Sequence, residues 1–260
     1  MEVIVIKIGG NVIDDKARLA AFLQAFAAIP GHKILVHGGG KVATEMGRKL
    51  GIEPNYVDGR RITDAATLEI ITMVYGGGIN KDIVASLQAL DCNAIGLTGA
   101  DGALLPAAKR PVGAVDYGFV GDIKSTDINS GLLQMLMQHG LTPIVAPLTY
   151  DGAGGLLNTN ADTIAQEIAK KISTTMDVQL VYCFEKKGVL ANADEDDSVI
   201  GTITEQDFVA LKEMGVVSGG MLPKLENALA AVKTGVKKVI IGHADELADL
   251  IKGEAGTSII

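Results

Sequence analysis

The chain has 260 residues, 48% of them apolar, with a mean hydropathy of +0.30, which suits one large α/β core or two joined lobes and is too apolar for a disordered polymer. With 23 Lys and Arg against 31 Asp and Glu the net charge is −8, which argues against a nucleic-acid partner while leaving room for a local cationic pocket. Cys92 and Cys183 are too few and too separated for a disulfide scaffold or a zinc site, and neither a leader nor a run of roughly 18 apolar residues is visible, so a cytoplasmic protein without a membrane partner is expected.

In chain order, the apolar run Val3–Ile8 ends on Gly9-Gly10 and reads as a buried strand, followed by a helix over Ala17–Ile29. Lys33–Val36 is the next strand, ending in His37-Gly38-Gly39-Gly40, with a helix over Lys41–Leu50. Leu68–Ala89 has helical periodicity, Ala94–Thr98 reads as a strand, Thr126–Gln138 as a helix and Thr142–Leu148 as a strand. Asp162–Lys171 is helical, Val178–Cys183 is a strand, Thr204–Met214 and Lys224–Thr234 are helices, and Lys237–Ile241 is the last strand. Short β-rich runs separated by helices predict α/β architecture with a central, mainly parallel sheet covered on both faces. Two polar stretches interrupt the alternation: Lys109–Asp122, which reads as a hairpin over the sheet, and the acidic loop Ala191–Asp197, which reads as an exposed tip. Ser173–Asp177 is the candidate boundary between two lobes that share the sheet.

The chemistry-bearing signals sit at glycine turns. Lys7 closes the first strand and Gly9-Gly10 follow it, where the carboxyl end of a sheet strand meets a helix N-terminus and an anion would bind. A tight strand-to-helix turn with a solvated lysine accounts for the same residues. Gly38-Gly39-Gly40 can form a nest of backbone N–H groups, and with Lys41-Val42-Ala43 it loosely fits a dinucleotide fingerprint, with Asp58 twenty residues on. That fit supports an NAD-binding oxidoreductase only weakly, because the fingerprint belongs on the first strand of its unit. His37 reads as a hydrogen-bonded structural residue. No phosphate loop of the G-x-x-x-x-G-K-[ST] type, no nucleophile elbow and no metal-ligand spacing occurs.

Asn158-Thr159-Asn160-Ala161-Asp162 opens a helix. N-capping explains one of these polar residues; presenting amides to a ligand, with Asp162 holding a cation, would explain three at alternating positions. Gly219-Gly220-Met221-Leu222-Pro223-Lys224 precedes the next helix, and Pro223 suits its first turn. Lys224 there opposes the helix dipole, a conflict most easily explained by an anionic ligand.

Together these motifs resemble the amino-acid kinase family. The match runs through Lys7-Ile8-Gly9-Gly10, His37-Gly38-Gly39-Gly40, Gly59-Arg60-Arg61-Ile62-Thr63-Asp64, Asn80-Lys81, Asp101-Gly102, Gly118-Phe119-Val120-Gly121, Asn158–Asp162, Gly219–Lys224 and Gly256-Thr257. The pairing of Gly-x-Arg-x-Thr-Asp with Asn-x-Asn-Ala-Asp is similar to the members that act on acylated glutamate. The resemblance implies a three-layer αβα sandwich with two lobes, 1–175 for the acylated amino acid and dimerisation and 176–260 for ATP. It implies ATP-dependent phosphorylation, with Mg²⁺ on the nucleotide, of the γ-carboxylate of N-acetyl-L-glutamate, the second step of arginine biosynthesis.

By the same resemblance Lys7 and Lys224 neutralise the transferring phosphoryl group and Asp162 holds the lysines in place. Gly39, Gly40, Arg61, Asn158 and Asn160 contact the acylated amino acid. Gly9, Gly10, Glu185, Lys187, Gly188, Val216, Val217, Ser218 and Gly220 contact the nucleotide. One segment departs: in Cys183-Phe184-Glu185-Lys186-Lys187-Gly188-Val189, Glu185 stands near the family's usual Asp. The chain starts directly on its first strand, without the N-terminal helix of arginine-inhibited hexameric members, so a homodimer without arginine feedback is expected. An N-succinyl or carrier-linked glutamate or aminoadipate would use the same phosphoryl apparatus, and succinyl would call for another cation, with Lys109 and Arg110 as candidates. A non-catalytic amino-acid sensor would be expected to have lost Lys7, Lys224 or Asp162, and all three are present.

Overall fold

In the computed structural model the chain is described over residues 2–57, 59–192, 194–217 and 221–260, Pro223 by its backbone alone. Asp58, Ser218, Gly219 and Gly220, singled out from the sequence, lie outside the described residues. The first run of apolar residues forms β1 (Glu2–Ile8), followed by α1 (Gly10–Ile13), α2 (Lys16–Ala28), β2 (His32–His37) and α3 (Gly40–Lys49). A hairpin, β3 (Asn55–Val57) and β4 (Arg60–Ile62), leads into α4 (Ala65–Ile71), a π-helical segment over Thr72–Ile79, α5 (Asn80–Gln88) and β5 (Ala94–Leu97). The strands β6 (Ala107–Lys109) and β7 (Gly121–Ile123) pair as the expected hairpin, and α6 (Ser130–Gln138), β8 (Thr142–Val145), β9 (Leu148–Tyr150) and β10 (Leu156–Asn158) follow. The remainder is α7 (Ala161–Ser173), β11 (Asp177–Phe184), β12 (Thr202–Ile203), α8 (Glu205–Glu213), α9 (Met221–Lys233), β13 (Lys238–His243), α10 (Leu247–Lys252) and β14 (Thr257–Ile259).

The main sheet has eight strands in the order β12-β14-β13-β11-β1-β2-β8-β5, parallel throughout except where β13 meets β14. Because side chains alternate across a strand, β1 feeds two cores: Val3 and Val5 pack with α6, α7 and α9, while Ile4, Ile6 and Ile8 pack with α2, α4 and α5. The outcome is the expected αβα sandwich. Helix starts follow side-chain caps: Asp15 accepts from Ala17 and Arg18 N–H, Asp64 from Thr67, Asn129 from Leu132, and Thr204 with Asp207 closes a capping box.

Some expected boundaries move. The helix expected over Thr126–Gln138 is a short 3₁₀ turn and then α6, because Asn129 caps at the later position. The expected strand Thr142–Leu148 breaks at Ala146-Pro147 into β8 and β9, since proline removes a ladder donor. The Lys237–Ile241 run is not the last strand: the chain adds α10 and β14, a three-residue strand too short to stand out. Three hairpins, β3–β4, β6–β7 and β9–β10, are stitched by the bridges Thr63–Gly118, Pro106–Tyr150 and Val120–Asn158 into a wall beside the sheet.

Candidate active site

Parallel register sets the first feature. Lys7 of β1 lies beside Tyr182 of β11, both on the sheet face that α7 covers, and α7 brings Asp162 in its first turn. Lys7 is 7% exposed, with Nζ 2.7 Å from Asp162 Oδ1. Among the described residues Asp162 Oδ1 is buried and has no hydrogen bond besides this ion pair. Phe184, two residues along β11 from Tyr182, stacks on that ring at 5.9 Å between centroids. Lys7 Nζ lies 5.1 Å from the Phe184 ring centroid and Lys224 Nζ, from the N-terminal part of α9, lies 3.7 Å from it. Two ammonium groups from opposite ends of the chain thus meet over one ring. Burial pushes Lys224 below the usual lysine range; Asp162 and Glu185 oppose that shift and Lys7 adds to it. Among the described residues only Lys7 of these two cations has a carboxylate within ion-pair distance, which favours an anion between them.

The second feature is a pair of glycine turns at neighbouring strand ends. The Gly38 N–H donates to the Ile8 carbonyl at 3.1 Å, which ties the two turns together. α1 and α3 both start on glycine, with no side chain accepting from their first-turn amides. Gly39 has φ +150°, and a Cβ there would collide with Ile79 of the π segment. The backbone at α3 therefore lies open to a ligand, as an anion site needs.

The third feature is the hairpin wall. Arg61 is 9% exposed; its Nη2 donates to the Gly40 carbonyl and to Thr44 Oγ1, each at 2.7 Å, and its guanidinium stacks 4.8 Å from the Tyr56 ring centroid. Asn158 Nδ2 donates to Thr63 Oγ1 at 3.0 Å. Asn160 does what the capping reading required, accepting from Asp162 and Thr163 N–H at 2.7 and 3.2 Å. Arg110 Nε donates to Asp122 at 3.0 Å.

A cleft of about 560 Å³ joins these features. Lys7, Gly9, Gly10, Gly39, Gly40, Arg61, Asn158, Asn160, Asp162 and Lys224 all line it. Glu185, Lys187, Gly188, Val216 and Val217 are not among its walls. Lys187 pairs with Asp197 at 2.6 Å, Gly188 abuts Thr257 and Val217 is buried in the core. Tyr56, Tyr75 and Tyr182 also line the cleft and were not singled out from the sequence, because an aromatic at an apolar position looks like core; Asn227 of α9 lines it too and belongs to no motif. The Asp58-Gly59 pair between Tyr56 and Arg61, a hairpin-turn signal, was the available hint to Tyr56. Among the described residues no group of three or more His, Cys, Asp or Glu could hold a metal ion, and no helix is long and apolar enough to cross a membrane.

The sequence pattern of the Amino acid kinase family matches residues 2–243. Acetylglutamate kinase of Bacteroides thetaiotaomicron is 55% identical over 255 residues, which cover 98% of this chain and 97% of that protein. Among solved structures, smu.665 from Streptococcus mutans superposes with a TM-score of 0.76 at 26% identity, covering 99% of this chain and 98% of that one. Carbamate kinase from Giardia lamblia bound to AMP-PNP, at 16% identity and TM-score 0.70, covers 99% of this chain and 98% of that one and shares the fold.

Proposed function

From the premise that this chain belongs to the amino acid kinase family, we propose that it phosphorylates the γ-carboxylate of N-acetyl-L-glutamate with ATP, giving N-acetylglutamyl 5-phosphate and ADP in arginine biosynthesis. The observation that carries the reading is the pair Lys7 and Lys224 over Phe184, beside two glycine turns and inside one cleft. The acceptor carboxylate has a reference pKa of about 4.3 and is ionised at neutral pH, so no general base is needed. What the reaction needs is charge: a carboxylate and a polyphosphate must approach, and negative charge spreads over the transferring oxygens.

Lys7 and Lys224 supply that charge from two sides, and Asp162 holds Lys7 at 2.7 Å in the reactive position. The Gly9-Gly10 amides receive phosphate oxygens and the Gly39-Gly40 amides receive the acylated amino acid. Arg61, pinned through Nη2 to Gly40 and Thr44, turns its remaining N–H groups to a substrate carboxylate, and Asn158 faces the acyl amide. Asn160 caps α7 and so orients Asp162. Mg²⁺ travels on the ATP phosphates, in keeping with a cleft that gathers cations rather than carboxylates. The base and ribose lie over the second lobe, 176–260, with Glu185, Lys187, Gly188, Val216, Ser218 and Gly220 as their contacts and Val217 packed beneath them in the core, and the enzyme is a homodimer.

One observation favours a second reading of the acyl group. Arg60 and Arg110 line the same cleft, so a succinyl tail would find a cation near the acceptor. Assaying N-acetyl-, N-succinyl- and carrier-linked glutamate side by side, with hydroxylamine to trap the acyl phosphate, tests both. The acetyl substrate is expected to give ATP-dependent hydroxamate. Hydroxamate from the succinyl substrate alone would transfer the assignment to it, and none from any substrate would sink the kinase reading.

A further inference from the structure

His37 and Asn80 sit behind the Gly38–Gly40 turn, 0% and 1% exposed, and neither lines the cleft. Their hydrogen bonds admit one proton arrangement. His37 Nδ1 lies 2.8 Å from the Gly38 carbonyl oxygen, which can only accept, so Nδ1 carries the proton. Asn80 Nδ2 lies 3.1 Å from His37 Nε2 and donates to the Ile144 carbonyl at 3.0 Å. The amide cannot be reversed, because its Oδ1 accepts from the Lys81 ammonium at 3.1 Å, and Lys81 donates in turn to the Gly96 carbonyl at 3.1 Å. Nδ2 therefore donates to Nε2, which is the bare nitrogen.

Space for this chain is built in. A Cβ on Gly96 would collide with Asn80 Oδ1 and lie 2.7 Å from Lys81 Nζ. At its other end the chain grips the Gly38 carbonyl, while the Gly38 N–H is held by Ile8. Gly38 is thus held at both its N–H and its carbonyl, the two peptide units that lead into Gly39. Burial pushes the imidazolium down to about 4; the Gly38 carbonyl opposes the shift and the Lys81 charge adds to it.

We infer that His37, Asn80 and Lys81 form a positioning relay, which fixes the Gly38–Gly40 turn for the acceptor through a neutral imidazole protonated at Nδ1. The inference rests on the acceptor-site reading above for the kinetic part of its test. Its proton part does not. The groups that face the ring are the Asn80 amide of α5, the Gly38 carbonyl and the Lys81 charge.

The test uses full-length protein with ¹⁵N-labelled histidine, of which there are four. His37→Gln assigns the His37 signals; if that variant does not fold, substituting His32, His139 and His243 in turn assigns them by elimination. The wild-type ring is expected to show the neutral Nδ1–H signature throughout about pH 5.5 to 8, where an ordinary histidine titrates. Asn80→Asp replaces the donor with a carboxylate, which accepts from Nε2, so the ring takes up a second proton in that range. The acceptor KM of this variant is expected to rise roughly tenfold, about the worth of one hydrogen bond, while the ATP KM changes less than about twofold. An Nε2–H tautomer, wild-type titration near the ordinary 6.5, or equal rises in both KM values would overturn the relay. A wild-type enzyme inactive on every acylated glutamate would instead sink the acceptor reading, leaving the ring signature to judge the relay alone.

Discussion

Lys224 is where the sequence and its surroundings disagree most sharply. It is a cation in the N-terminal part of α9, partly buried, with its ammonium 3.7 Å from the Phe184 centroid and another lysine over the same ring. The helix dipole, burial and like charge all work against it. Such a placement persists when a ligand of opposite charge rewards it, and in the proposed reaction the transferring phosphoryl group is that ligand. Lys224→Ala is therefore expected to lower kcat by roughly 10²–10³, as loss of one transition-state contact does, with smaller changes in either KM. Only the protonated amine can serve, and burial has lowered its pKa from 10.5, so kcat/KM is expected to fall at alkaline pH with an apparent pKa below that value. In Lys224→Arg, whose guanidinium stays charged, that limb should move up in whatever turnover remains. Steady-state kinetics across pH measures both effects, and unchanged turnover in Lys224→Ala would remove Lys224 from the chemistry. Lys224 stood out in the sequence because it opposes the helix dipole, whereas Lys7 and Asp162 also fit a plain turn and a plain helix start and were joined to it only by the family resemblance. Tyr56 and Tyr75 did not stand out, because a ring that holds a cation and a ring that fills a core occupy the same kinds of position.

At the scale of elements, the long runs were legible and the short ones were not. β1, β2 and β11 declared themselves by predominantly apolar stretches, since both their faces are buried. β3, β4, β12 and β14 have two or three residues each and carry no period to read. Two of them matter for the site, because the β3–β4 hairpin presents Arg61. That hairpin is held by the next one through Gly118: Thr63 N–H donates to the Tyr117 carbonyl at 2.9 Å and Phe119 N–H to the Thr63 carbonyl at 2.7 Å. Gly118 has φ +73°, and a Cβ there would collide with the Thr63 carbonyl oxygen. Both the left-handed backbone and the contact demand glycine, so Gly118→Ala should cost about 1–3 kcal/mol and part the two hairpins. Thermal denaturation should show the loss, and the acceptor KM should rise more than the ATP KM, since Arg61 and Asn158 are stitched to this strap. A variant with wild-type melting and unchanged acceptor KM would contradict this account of the wall.

For the whole molecule, the expected division near Ser173–Asp177 falls between the end of α7 and the start of β11. The proposed function gives the two sides different substrates, yet the packing does not separate them. β1 pairs with β2 on one edge over Val3–Ile8 and with β11 on the other over Glu2–Ile8. One core runs from Val3 through Ile168 to Leu229 and Ile259, the other from Ile4 through Phe26 to Ile240 and Leu250, so each crosses the division. Gln166 of α7 adds a polar tie, donating to the Asn227 carbonyl of α9 at 2.9 Å, one turn from Asp162 and from Lys224. A fragment ending at 175 would bare the β11 edge of β1 together with the buried faces of Val3, Val5 and Ile172, and should not fold alone. The intact chain should then melt in a single transition, seen at the same midpoint by backbone and tyrosine signals. Either substrate should raise that one midpoint, in proportion to RT ln(1 + [L]/Kd), because neither half can unfold while the other retains its ligand. Calorimetry with and without ATP would decide the matter, and two transitions, only one of them moved by the nucleotide, would mean that the lobes fold independently.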